Sequence, residues 1–135
     1  MDRYMFPAIF EKGDIKGYTI TFPDLPGCIT EGDDAVEAFH MAREVLELFI
    51  YDMEEENEKI PGPSEPFSLN LPEDSFVSIV EVWMPVVRDE MRNKAVKKTL
   101  TIPKWLNDAA MDQKVNFSQI LQTALKEYLG INKRT

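Results

Sequence analysis

Lys97, Thr99 and Thr101 stand at every second position of residues 96–103, with Leu100 and Ile102 between and after them. Side chains alternate faces along a strand. The ammonium and two hydroxyls would therefore share one face, and Leu100 and Ile102 the other. Such a face has hydrogen-bonding chemistry rather than bond-making chemistry. Lys donates to guanine or phosphate, and Thr offers a hydroxyl plus a methyl that fits thymine. The same three residues would also serve as the solvated face of a protein–protein dimer. Lys98 falls on the nominally apolar side near the strand's start, where its stem can lie along the surface with the charge in water.

Two short helices must position that strand. Pro103 stops it and suits the first turn of a helix. The pattern predicts one helix over about 104–113, with Trp105, Leu106, Ala109 and Ala110 as its apolar side. A second opens at Asn116, with Gln119 three residues on as capping-box partner. Phe117, Ile120, Leu121, Ala124, Leu125 and Tyr128 follow at helical spacing, and Gly130 stops it with Ile131 behind. One strand and two helices cannot close a core, and a lone strand leaves its backbone groups open. The simplest remedy is a homodimer through residues 96–131, pairing the two strands as an antiparallel ribbon, an element that fits the DNA major groove. The segment resembles a ribbon-helix-helix domain, the dimeric fold of the Arc and Met repressors. The resemblance implies that Asn116, Phe117 and Ser118 clamp a DNA phosphate at the positive end of the second helix. Ordinary helix capping explains the same residues without DNA.

The 135 residues carry a net charge of −9, which suits a nucleic-acid binder only once it is divided. Residues 96–135 hold seven Lys and Arg against Asp108, Asp112 and Glu127, a balance of +4 that leaves −13 on residues 1–95. Asymmetry of this size points to two partners: nucleic acid for the basic end and a cationic protein for the acidic one. No apolar stretch approaches a membrane span, and no signal-peptide pattern opens the chain. One cysteine, Cys28, forms no internal disulfide or zinc set, so a reducing cytoplasm is the expected location.

The acidic part reads as strands around one long helix. A strand is expected over 3–10, at a sheet edge because of Pro7. Lys12-Gly13-Asp14 is a turn. Tyr18, Ile20 and Phe22 alternate with Thr19 and Thr21 as a half-buried strand. Pro23-Asp24-Leu25-Pro26-Gly27 is a rigid turn before a short strand at 28–30. Asp34 and Glu37 cap a helix reaching about Glu56, with Ala35, Phe39, Ala42, Val45, Leu46, Phe49 and Met53 as its buried stripe. Residues 59–74, with four prolines, form an extended connection. Residues 75–83 return to the sheet, and Pro85 ends that strand. The expected division is 1–84, a linker at 85–95, and 96–135.

The order and spacing of Tyr4 through Phe10 with Pro7-Ala8, Gly17-Tyr18, Phe22-Pro23-Asp24-Leu25-Pro26-Gly27-Cys28, Thr30-Glu31-Gly32-Asp33, Glu37-Ala38, Ile60-Pro61 and Pro63-Ser64 are similar to HicB antitoxins. The resemblance implies an α+β fold: a partial RNase H-like domain, with an antiparallel sheet and one long helix, followed by the ribbon-helix-helix tail. It implies a HicA-like toxin as partner, a small basic mRNA-cleaving protein. It also implies repression of the operon through operator DNA, with two dimers side-pairing as a tetramer on a palindrome. Asp24, Glu54, Glu55 and Glu58 are the candidate toxin contacts. The last three crowd a helix end whose dipole disfavours negative charge, which a frayed, solvated terminus would also tolerate.

No catalytic set emerges. Two-metal chemistry needs carboxylates converging from strands, and Asp24, Glu31, Asp33 and Asp34 sit in turns, leaving mainly Glu81. His40 has no Ser or Cys mate and no metal partner. No enzyme activity, metal or cofactor is expected. The alternative function is a free-standing ribbon-helix-helix repressor whose N-terminal domain senses a ligand.

Overall fold

The computed structural model describes residues 1–131, which fall into two compact units divided between Ala95 and Val96. Residues 132–135, including Lys133 and Arg134 of the basic tail, lie outside the described residues.

The first unit is α+β. Strands β1 (Arg3–Lys12), β2 (Tyr18–Thr21), β3 (Ile29–Gly32) and β4 (Ser75–Trp83) make one antiparallel sheet in the order β3-β2-β1-β4. Helix α1 (Ala35–Glu55) follows β3, and α2 (Met84–Arg92) follows β4 directly. Asp34 sets the start of α1: its side chain accepts from Glu37 N–H at 2.9 Å, while Glu37 accepts from Asp33 N–H at 2.9 Å. Alternation puts Phe6, Ala8 and Phe10 of β1, Ile20 of β2, and Val80 and Val82 of β4 in the core. They form one apolar cluster with Ala38, Ala42, Leu46 and Ile50 of α1. Each fully buried Leu or Ile there contributes about 1.5–3 kcal/mol.

The buried stripe of α1 differs from the expected one at its ends. Ala38 and Ile50 are buried, whereas Ala35 and Phe39 are exposed. Small alanines at four-residue spacing let the helix approach the sheet closely. Phe39 instead flanks the core and stacks on Phe10, ring centroids 4.4 Å apart.

Pro7 also needs correction. β1 is an inner strand of the sheet. Its pairing with β2 begins only at Ile9, two residues beyond Pro7. Gly13 N–H donates to Gly17 O (2.9 Å), continuing the β1–β2 register, so odd-numbered β1 residues face the β2 side. The missing N–H of Pro7 therefore points where β2 has already ended, a local edge within a central strand.

The linker expected at 85–95 is mostly helix. α2 starts at Met84 with Pro85 in its first turn, where proline is at home. Met84 and Val87 are buried, and the segment belongs to the first unit.

In the second unit, helix α3 (Lys104–Asp112) and helix α4 (Phe117–Leu129) occupy the anticipated positions. Gly130 closes α4 in the left-handed region at φ 72°, with Ile131 N–H donating to Lys126 O at 2.9 Å. The strand expected at 96–103 is not formed in the single chain. Residues 94–103 carry no regular element, and a strand exists only by pairing.

Candidate functional site

Two surfaces collect the candidate residues, one in each unit. In the second unit, Lys97, Thr99 and Thr101 are all exposed on the segment leading into α3. Asn116 caps α4 by accepting from Gln119 N–H at 3.0 Å. That bond leaves the N–H groups of Phe117 and Ser118 without a partner among the described residues. Ser118 Oγ accepts from Gln122 Nε2 at 3.0 Å. The free N–H groups and the helix dipole together suit an oxyanion such as phosphate.

The apolar residues of this unit are uncovered. None of residues 96–131 is buried; Leu100 is 60% and Ile102 41% exposed, and Leu106, Phe117, Ile120 and Leu125 are exposed as well. An apolar set of this extent on a short segment marks an interface rather than a finished surface.

In the first unit, the four candidate carboxylates separate into two kinds. Asp24 accepts from Ser64 N–H at 2.9 Å and from the Ser64 hydroxyl. It thereby ties the turn after β2 to the proline-rich connection. Glu54 receives Arg88 in fork geometry, Nε at 3.0 Å and the second guanidinium nitrogen at 2.6 Å. Arg88 also donates to Asp2 (2.6 Å) and Met1 O (2.7 Å), so one side chain fastens α2 to the end of α1 and to the N-terminus. These hydrogen bonds from Glu54 and Asp2 stabilise the charged guanidinium and raise its pKa. Glu55 and Glu58, by contrast, are exposed, and neither has a salt-bridge partner among the described residues. Arg88 was missed in the sequence because its partners lie 34 and 86 positions away.

The single cysteine and the single histidine are set apart from each other. Cys28 is fully buried, and burial pushes its thiol up to about 11. A thiol so held is not a nucleophile near neutral pH. His40 is exposed and lies 3.6 Å from Glu44 one helical turn away. Among the described residues no three His, Cys, Asp or Glu side chains are grouped to hold a metal ion, and no helix is long and apolar enough to cross a membrane.

A family model for the HicB-like antitoxin of bacterial toxin-antitoxin systems matches residues 6–125. An uncharacterized 14.9 kDa protein of Haemophilus phage HP1 is 34% identical over 106 residues, 76% of this chain and 75% of the phage protein. Antitoxin HicB 1 of Photorhabdus laumondii is 40% identical over 58 residues, 43% of this chain and 37% of that protein. Among solved structures, a toxin–antitoxin complex from Streptococcus pneumoniae superimposes with a TM-score of 0.61 at 30% identity, covering 93% of this chain and 99% of that one.

Proposed function

The chain belongs to the HicB-like antitoxin family of bacterial toxin–antitoxin systems, and on that premise we propose a division of labour between its two units. It is an antitoxin, not an enzyme. The first unit, Met1–Ala95, binds and neutralises a small basic HicA-type mRNA-cleaving toxin. The second unit dimerises through residues 96–131 and represses the chain's own operon by binding operator DNA.

The charge division carries this reading. The first unit carries −13 and the second +4. An acidic surface attracts a cationic protein and repels DNA; a basic one does the reverse. Dimerisation is supported by the uncovered apolar side chains of the second unit and by the unpaired segment at 96–103. Two such segments paired antiparallel would satisfy their backbone groups, bury Leu100 and Ile102, and present Lys97, Thr99 and Thr101 outward. Phe117 and Ser118 N–H groups, with Asn116 shaping the turn, would hold the flanking phosphate. Glu55 and Glu58 are the carboxylates open to a toxin, while Asp24 and Glu54 shape the surface beside them.

Lys97→Ala tests the DNA half. Operator affinity, followed by fluorescence anisotropy across salt concentrations, is expected to fall. The salt slope should decrease by about one, the signature of one lost phosphate contact. Toxin neutralisation stays at the wild-type level. An unchanged salt slope would remove Lys97 from the DNA face, and loss of neutralisation would contradict the division between units.

A further inference from the structure

Two hydrogen bonds fix the phase of the β1–β4 ladder. Met84 N–H donates to Asp2 O at 2.8 Å, and Lys12 N–H donates to Asp74 O at 2.9 Å. Both pairs continue the register in which Arg3 faces Trp83 and Glu11 faces Ser75. Antiparallel ladders alternate hydrogen-bonded pairs with pairs whose backbone groups point outward. Even-numbered β4 residues therefore bond to β1, and Val77, Ile79, Glu81 and Trp83 direct N–H and C=O away from it. Pro7 agrees, for it faces Ile79, an outward pair in which its missing N–H costs the ladder nothing.

β4 ends the sheet. Trp83 is also the N-cap of α2, so its C=O starts that helix's ladder, but among the described residues no turn, cap or side-chain hydrogen bond engages the outward groups of Val77, Ile79 and Glu81. The strand is nine residues long, rich in Val, Ile and aromatic side chains, and holds no Pro or Lys. Both are among the devices by which natural proteins blunt such an edge, and the one charge on this strand is Glu81. Phe76, Ile79, Trp83 and the nearby Val86 are 43–54% exposed. Beside Glu81 and Trp83 lies a groove of about 340 Å³, whose lining includes Arg43 and Glu47 of α1 and Glu90 of α2.

We propose that the open edge of β4 seats an extended strand of the cationic toxin, which joins the sheet as a fifth strand. This rests on the antitoxin reading above and adds where and how the toxin is held. Main-chain hydrogen bonds to the outward groups of β4 supply affinity, and Ile79 and Trp83 supply side-chain contact. Charge chooses the occupant. The groove sets Glu47 and Glu90 beside Arg43 and beside Glu81, which Arg3 holds at 3.1 Å, all within a unit of charge −13. A second copy would set −13 against −13, whereas a basic protein is drawn in.

The test is Ile79→Pro in the full chain, titrated calorimetrically with a purified HicA-type toxin variant that no longer cleaves RNA. This substitution deletes an outward N–H and places a ring on the free edge, while every bond to β1 remains. Circular dichroism should match the wild type, and toxin affinity should fall about 100-fold or more. Hydrogen exchange on the wild-type complex gives an independent readout, in which the amides of Val77, Ile79 and Glu81 become protected when toxin is added. A folded Ile79→Pro chain with wild-type affinity, or amides that stay unprotected in the complex, would overturn the edge site and leave the antitoxin reading standing. A wild-type chain that binds no toxin removes both. Protection of these amides without toxin, together with association through the first unit, would assign the edge to a second copy and overturn the proposal.

Discussion

Leu100→Asp leaves the chain monomeric at micromolar concentration and abolishes operator binding. Leu100 is 60% exposed in the single chain, so the substitution costs the isolated unit little. In the proposed dimer the same side chain lies between ribbon and helices, with its symmetry mate close by. Burying a carboxylate there without a partner costs at least about 2 kcal/mol per copy, and two copies bring the loss to about 4 kcal/mol. That corresponds to about a thousandfold weaker dimer. Because two half-sites must be held together, DNA affinity falls with it. Analytical ultracentrifugation and a gel-shift titration read the two effects, and toxin binding in the same preparation stays intact. A Leu100→Asp chain that remains dimeric would show that the second copy is held elsewhere.

Gly32→Ala should be strongly destabilising to the first unit. A Cβ at Gly32 would stand 2.6 Å from Ala38 N and 2.7 Å from Ala38 Cα. Both are backbone atoms of the first turn of α1, so neither can swing aside as a flexible side chain would. Relief requires α1 to shift from the sheet, which strains the packing of Ala38, Ala42 and Leu46 together. Overpacking of this kind costs about 1–3 kcal/mol and more when backbone must move. For a domain of this size that lowers the melting temperature by roughly 4–8 °C per kcal/mol. Differential scanning calorimetry reads it directly. A melting temperature within a degree of the wild type would mean that α1 is not seated as described.

The local grammar of the chain was legible where neighbours in sequence decide the outcome. Asp34 with Glu37, Asn116 with Gln119, and Gly130 are capping signals acting over a few residues, and each marks a real helix terminus. The β-rich run expected at residues 75–83 coincides with β4. What escaped depends on partners distant in sequence. Pro85 read as a stop because proline ends strands, yet it also opens helices, and only the burial of Met84 and Val87 against the first unit decides between the two. Pro7 read as an edge marker, and the sheet satisfied it by ending β2 early instead. On α1, large apolar residues outweighed alanines in the expected stripe, although close helix–sheet contact favours Ala38 over Phe39.

The candidate sites followed the same rule. The shared face of Lys97, Thr99 and Thr101 and the cap at Asn116 could be read from local spacing, while a phosphate role for Asn116, Phe117 and Ser118 is what the family resemblance implies. The acidic residues could not be sorted from sequence. That Asp24 is engaged by Ser64 and Glu54 by Arg88, with Glu55 and Glu58 left open, depends on contacts 34 to 40 positions apart. The open edge of β4 depends on strand order, which no local pattern encodes.

The central claim is that toxin binding and DNA binding reside in separable units meeting at Val96. The most direct measurement is a calorimetric titration of residues 1–95 with purified inert toxin, paired with a gel shift of the same fragment on operator DNA. The fragment keeps α2, because Met84, Val87 and Arg88 help to build the first unit. The account predicts toxin affinity close to that of the full chain and no operator binding. A folded 1–95 fragment that fails to hold the toxin, or one that shifts operator DNA, would contradict it.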